Sequence, residues 1–157
     1  MNLSQEERRL TTILGIWGVG CAAKGSIGWV ATRNGSHPEL NGFARQTAMW
    51  GAIDAAIAGV GWLSSTRRDP FESPEEQEKH RARLRRTLLI NSAADAAYIA
   101  GGAAVMIAAK PTGSKRLLGM NLTVGDGAAI VVQGAFLLAL DALFAKRLSE
   151  PIVALQA

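Results

Sequence analysis

Four aspartates, Asp54, Asp95, Asp126 and Asp141, and one lysine, Lys24, stand inside long runs of apolar residues. A charge in apolar surroundings is costly unless it is paired, takes up a proton or holds a counter-ion. Such carboxyls support proton relay or cation binding, and they serve equally to hold helices together through hydrogen bonds. Asn91, Tyr98 and Gln133 lie in the same runs and offer donors and acceptors to them. Lys24, Asp54, Asn91, Asp95, Tyr98, Asp126, Gln133 and Asp141 therefore form the candidate set for binding a ligand or ion.

Catalytic patterns are scarce. The sequence has no Cys-x-x-Cys pair, no phosphate loop ending in Gly-Lys-Ser/Thr, and no nucleophile elbow. The two histidines, His37 and His80, fall on opposite sides of the membrane topology derived below, so they do not pair as metal ligands. Gly15, Gly18 and Gly20 do not follow a strand, and close packing is the better reading of them than dinucleotide binding. Cys21 is the only cysteine, which excludes an internal disulfide. We expect no catalytic residues, no metal and no cofactor.

The elements that must carry these groups are helices. Leu10–Thr32, Phe43–Thr66, Thr87–Ala109 and Met120–Ala145 contain six of the 30 charged residues, and runs such as Ala96–Ala109 and Gly127–Leu140 carry no charge on any face. A soluble amphipathic helix needs a charged outer face, and each run meets the roughly 20 residues required to cross about 30 Å of hydrocarbon. The expected fold is an all-α, four-helix transmembrane bundle forming one membrane domain over 1–157, with spans 10–32, 43–66, 87–109 and 120–145. Met1–Arg9 is polar and of mixed charge, so the first run is expected to stay as a span rather than act as a cleaved signal.

Cap and turn residues set the helix limits. Ser4 with Glu7 reads as a capping box opening a helix from Gln5 to Thr32, and Arg33–Pro38 reads as a turn before a helix over Leu40–Ser65. Ser73-Pro74-Glu75-Glu76 opens a helix that runs to Ala109 and projects beyond the bilayer. Lys110–Ser114 ends it. A last helix over Met120–Ser149 stops before Pro151. Lys and Arg number eleven on the side holding both termini and the hydrophilic loop 67–86, against five on the other, which places the termini and that loop in the cytoplasm by the positive-inside rule. This topology accounts for the net charge of +4 without a nucleic-acid partner.

Helical spacing gathers the polar groups into stripes: Trp17, Cys21, Lys24 and Gly28; Trp50, Asp54 and Gly61; Asn91, Asp95, Tyr98 and Gly102; Asp126, Gln133 and Asp141. Each stripe is expected to turn inward, with Lys24 paired to Asp54 or Asp126, or else snorkelling to the headgroups. Small-residue ladders, Gly51, Ala55, Gly59 and Ala93, Ala97, Gly101, predict close helix contacts. Trp29 and Trp62 fall near span ends, as interfacial aromatics do.

Three segments, Trp50–Asp54, Asn91–Gly102 and Gly125–Asp141, resemble a family of small, uncharacterised four-span bacterial membrane proteins. In that family the second helix tends to present Trp and Asn four apart; here Asp54 stands at the second place. The resemblance implies four spans and a bacterial inner-membrane location, and it brings no activity. The expected role is that of a non-enzymatic membrane protein, homo-oligomeric or in complex with another membrane protein, whose polar stripe holds the helices together and can take a small polar ligand. The alternative is a proton-coupled or cation transporter working through Asp54, Asp95, Asp126 and Asp141.

Overall fold

The computed structural model describes residues 3–68, 73–110, 114–117 and 120–150 of the 157. Four helices carry the fold: α1 (Leu3–Ala31), α2 (Pro38–Arg67), α3 (Pro74–Ala109) and α4 (Val124–Arg147). A two-stranded antiparallel hairpin, β1 (Lys115–Leu117) with β2 (Met120–Leu122), stands between α3 and α4 and pairs Arg116 with Asn121. This hairpin was not expected. It moves the start of the last helix from Met120 to Val124, because Thr123 and Asp126 form a reciprocal capping box that fixes the first turn there.

The first helix also departs from its expected start. It is already helical at Leu3, so Ser4 lies inside it rather than capping it. Glu7 serves instead as a tertiary ion-pair partner. α2 begins with Pro38 at its first turn and extends to Arg67, slightly beyond the expected limits at both ends. The opening of α3 is as expected: Ser73 Oγ accepts from the Glu76 amide at 3.2 Å. Its 36 residues span about 54 Å. Of the expected terminators, Pro111–Gly113 and Pro151 lie outside the described residues; α4 ends at Arg147, short of Ser149.

Two helical hairpins make up the bundle. α1 and α2 run antiparallel over their whole lengths, touching at Gly28 and Ala44, Gly18 and Ala55, Gly15 and Ala58, and Thr11 and Gly61. Bare backbones allow this approach: a Cβ on Gly18 would lie 2.9 Å from the Gly51 carbonyl oxygen. α3 and α4 pack similarly, with Gly102 against Gly127 and Gly134 against Ile99. α2 and α4 lie side by side and join the hairpins, giving the spatial order α1, α2, α4, α3.

Of the two expected small-residue ladders, only part makes these seams. Gly51 and Ala55 face α1, whereas Gly59 meets open space. Ala93, Ala97 and Gly101 are exposed on the outer face of α3, so the α3–α4 seam uses Gly102 instead.

The distribution of polarity is inverted relative to a water-soluble bundle. Ile16 and Ile27 are 71% exposed and Ile107 74%, and α2 shows Met49, Ile53, Ile57 and Val60 along its outer face. Asp54, Asp95, Asp126, Gln133 and Asp141 are buried. Three helices, α1, α3 and α4, are long and apolar enough to cross a membrane. α2 has the length, but Asp54, Trp50, Trp62 and its glycines dilute its apolar run.

Candidate functional site

Three of the four aspartates meet. Asp54 of α2, Asp95 of α3 and Asp141 of α4 turn inward at the centre of the bundle, near enough to feel one another's charge. Asn91, one turn before Asp95 on α3, reaches the Asp141 carboxyl with its side chain. Asp54 Oδ2 and Asp95 Oδ2 are fully enclosed and have no hydrogen-bond partner. The antiparallel register of α3 on α4 sets Asn91 and Asp95 beside Asp141, and the parallel lie of α2 on α4 brings Asp54 to the same level. A group of close, buried carboxyls calls for positive charge to balance it, as protons or as a small cation. Among the described residues no group of three or more His, Cys, Asp or Glu has the geometry to hold a metal ion.

Asp126 is separate from this cluster. It is fully buried at the end of the bundle that carries the β-hairpin, where its Oδ1 accepts from Arg45 Nη2 at 2.8 Å and its Oδ2 accepts from the Thr123 amide at 2.8 Å. Glu39 of α2 accepts from the Gly125 amide at 2.6 Å alongside. This carboxylate is satisfied as a helix cap and ion-pair partner, which corrects the expected pairing with Lys24.

Lys24 pairs with neither Asp54 nor Asp126. It is exposed and makes no ion pair among the described residues. Its whole stripe, Trp17, Cys21, Lys24 and Gly28, lines a groove of about 610 Å³ between α1, α2 and α4 rather than the bundle centre. The reason is the α1–α2 seam: Gly18 and Gly25 allow the closest approach, so they take the buried face and rotate the lysine stripe outward.

Gln133 bridges the groove and the centre. Its side-chain oxygen accepts from Trp17 Nε1 at 2.6 Å, and the Trp17 ring stacks on Phe136 at 3.9 Å. Tyr98 is exposed at the α3 edge, packed edge-on against Trp50 at 5.0 Å.

A second polar assembly was missed in the sequence. At the end where α1 begins and α4 finishes, Glu6 pairs with Arg9 at 3.0 Å and Arg147 at 3.2 Å, and Glu7 with Arg68 at 2.9 Å and His80 at 2.6 Å. It ties α1, α3 and α4 to Arg68, the residue that caps the end of α2. The signal available was the adjacency of two carboxylates opposite a basic loop, which reads as a helix-dipole effect when only local structure is considered. Nearby, Arg81 on α3 clasps Glu78 and donates to the Leu148 carbonyl. The guanidinium holds the Glu78 carboxyl below its usual range.

The family of unknown function DUF6992 matches residues 13–142. The chain belongs to that family. The DUF6992 match spans α1 from Ile13, all of α2 and α3, and α4 to Ala142, so most of both hairpins and all three clustered aspartates lie within it. No curated protein and no solved structure matches the chain.

Proposed function

We propose that this chain is a non-enzymatic integral membrane protein of the bacterial inner membrane, with four crossings, that acts by assembling with a second copy or another membrane protein. The inverted polarity supports the membrane setting, and α2 crosses because it accompanies α1 from end to end. The eleven-to-five excess of Lys and Arg supports a cytoplasmic side for both termini and the start of α3. The buried aspartates and Gln133 then serve as polar glue within the bundle, with room for a small polar ligand.

One observation carries the assembly role. The outer face of α3 presents Ala93, Ala97, Gly101, Ala104 and Ala108, all exposed. Between helices in lipid there is no hydrophobic drive, so association depends on small residues that let backbones approach. The test is oxidative crosslinking of Ala97→Cys in a Cys21→Ser background, in native membranes. A crosslinked species is expected, at the mass of a dimer or of a complex with a partner, and Ala93→Phe should weaken it. Monomer alone would overturn the assembly role.

The unpartnered oxygens of Asp54 and Asp95 favour a second reading, proton-coupled or cation transport. Ion uptake into proteoliposomes that drops in Asp54→Asn, Asp95→Asn or Asp141→Asn would support it; unchanged flux in all three would remove it.

A further inference from the structure

The start of α1 packs on the end of α4 through Leu3, Leu10 and Leu14 and through Glu6, and Trp17 on Gln133 and Phe136 adds a further contact; the groove between α1, α2 and α4 lies beside it. Beyond that contact, Gly20 and Gly28 supply no side chain to close the gap, and a Cβ on Gly20 would meet nothing within 4 Å. A volume of about 610 Å³ lies in the range of ligand sites. Its walls are mostly apolar, including Ile16, Leu40, Phe43 and Val132, and among the described residues its one formal charge is Lys24, with no carboxylate lining it.

Lys24 contrasts with Arg45, the other cation inside the apolar stretches. Arg45 has Asp126; Lys24 has no protein counter-ion among the described residues. It stands seven residues before the end of α1, about 10 Å along the axis. With the end of α1 at the membrane surface, its ammonium reaches the level where lipid headgroups meet their chains. An apolar trough with a single ammonium at that depth matches an amphiphile with one acidic head.

We propose that this groove is a site for one anionic phospholipid of the surrounding bilayer, its phosphate on Lys24 and an acyl chain lying along Gly20, Leu40 and Phe43. The proposal rests on the membrane reading, but not on the assembly or transport role.

Trp17 lines the groove and reports on it. In a variant with Trp29, Trp50 and Trp62 changed to Phe, reconstituted in phosphatidylcholine vesicles, Trp17 fluorescence is titrated with tail-brominated phosphatidylglycerol or tail-brominated phosphatidylcholine. The anionic lipid is expected to quench at about fivefold lower mole fraction, the advantage of one lysine–headgroup attraction. Lys24→Gln should bring the two lipids to parity, Lys24→Arg should keep the preference, and Gly20→Leu should suppress quenching by both. Parity in the parent, or a preference that survives Lys24→Gln, would overturn the site. Trp17 quenched by neither lipid would overturn it too, and crosslinking between copies through Lys24→Cys would then identify a second chain as the occupant. Failure to float with the vesicles is a separate result that removes the membrane reading itself.

Discussion

At the residue scale, the fate of each buried carboxyl depends on which hydrogen bonds its helix position makes possible. Asp126 sits three residues after Thr123, so one oxygen closes the cap while the other is left for Arg45. Arg45→Met should therefore cost more than Asp126→Asn. The first leaves an uncompensated buried carboxylate, about 3 kcal/mol or more. In the second the asparagine oxygen still caps and the partly exposed guanidinium turns to solvent, about 1 kcal/mol. Thermal unfolding in detergent ranks the two variants, and the opposite order would show that the cap, not the ion pair, holds this end. Glu78 is governed by Arg81 in the same way, but at the surface. Its lowered pKa means that the contribution of the clasp is fully present above the glutamate's unfolded value and fades as pH falls through the lower folded one. An NMR titration should place the Glu78 midpoint below that of an ordinary glutamate, and Arg81→Gln should return it; no difference between the two proteins would show that the clasp does not form in solution.

At the scale of elements, small residues decide which faces meet. Gly18→Leu would drive a side chain into the backbone of Ala55, 2.5 Å from its nitrogen, and the two helices would have to part. A loss of about 3 kcal/mol is expected, at the upper end for overpacking. Gly20→Ala, two residues on, points into the groove and should keep or slightly raise the melting temperature. Equal melting temperatures for both variants would contradict the α1–α2 seam. The same reasoning explains how much could be read from the chain. Helix number, the length of α3 and its Ser73 cap were legible, because caps and charge-free runs are local signals. The rotation of α1 was not: its stripe of Trp17, Cys21, Lys24 and Gly28 is as regular as the others. What places it outside the centre is the complementarity of Gly18 and Gly25 to α2, a property of two helices together. The grouping of Asp54, Asp95 and Asp141 without Asp126 depends likewise on the α2–α4 register. The β-hairpin was missed because Met120–Leu122 merges with the apolar run that follows, although Thr123-x-x-Asp126 marked the true helix start.

At the scale of the whole molecule, the pattern is of polar groups inside and aliphatic side chains outside. Lipid around the bundle would make those exposed isoleucines and valines harmless and confine the aspartates to the centre. Water would do the reverse, since an exposed apolar surface this continuous promotes aggregation. Charged groups gather at both ends of the bundle, the ion-pair assembly of Glu6 and Glu7 at one and the Arg45–Asp126 cap at the other. Exposed Trp29 and Trp62, each near the C-terminal end of its own helix, fall at opposite ends because α1 and α2 run antiparallel. The most direct test is the state of the purified full-length chain after detergent is removed, followed by size-exclusion chromatography with light scattering. Lipid solvation predicts precipitation or large aggregates in plain buffer and a uniform particle when nanodiscs are supplied; a monodisperse, folded chain in plain buffer would contradict it.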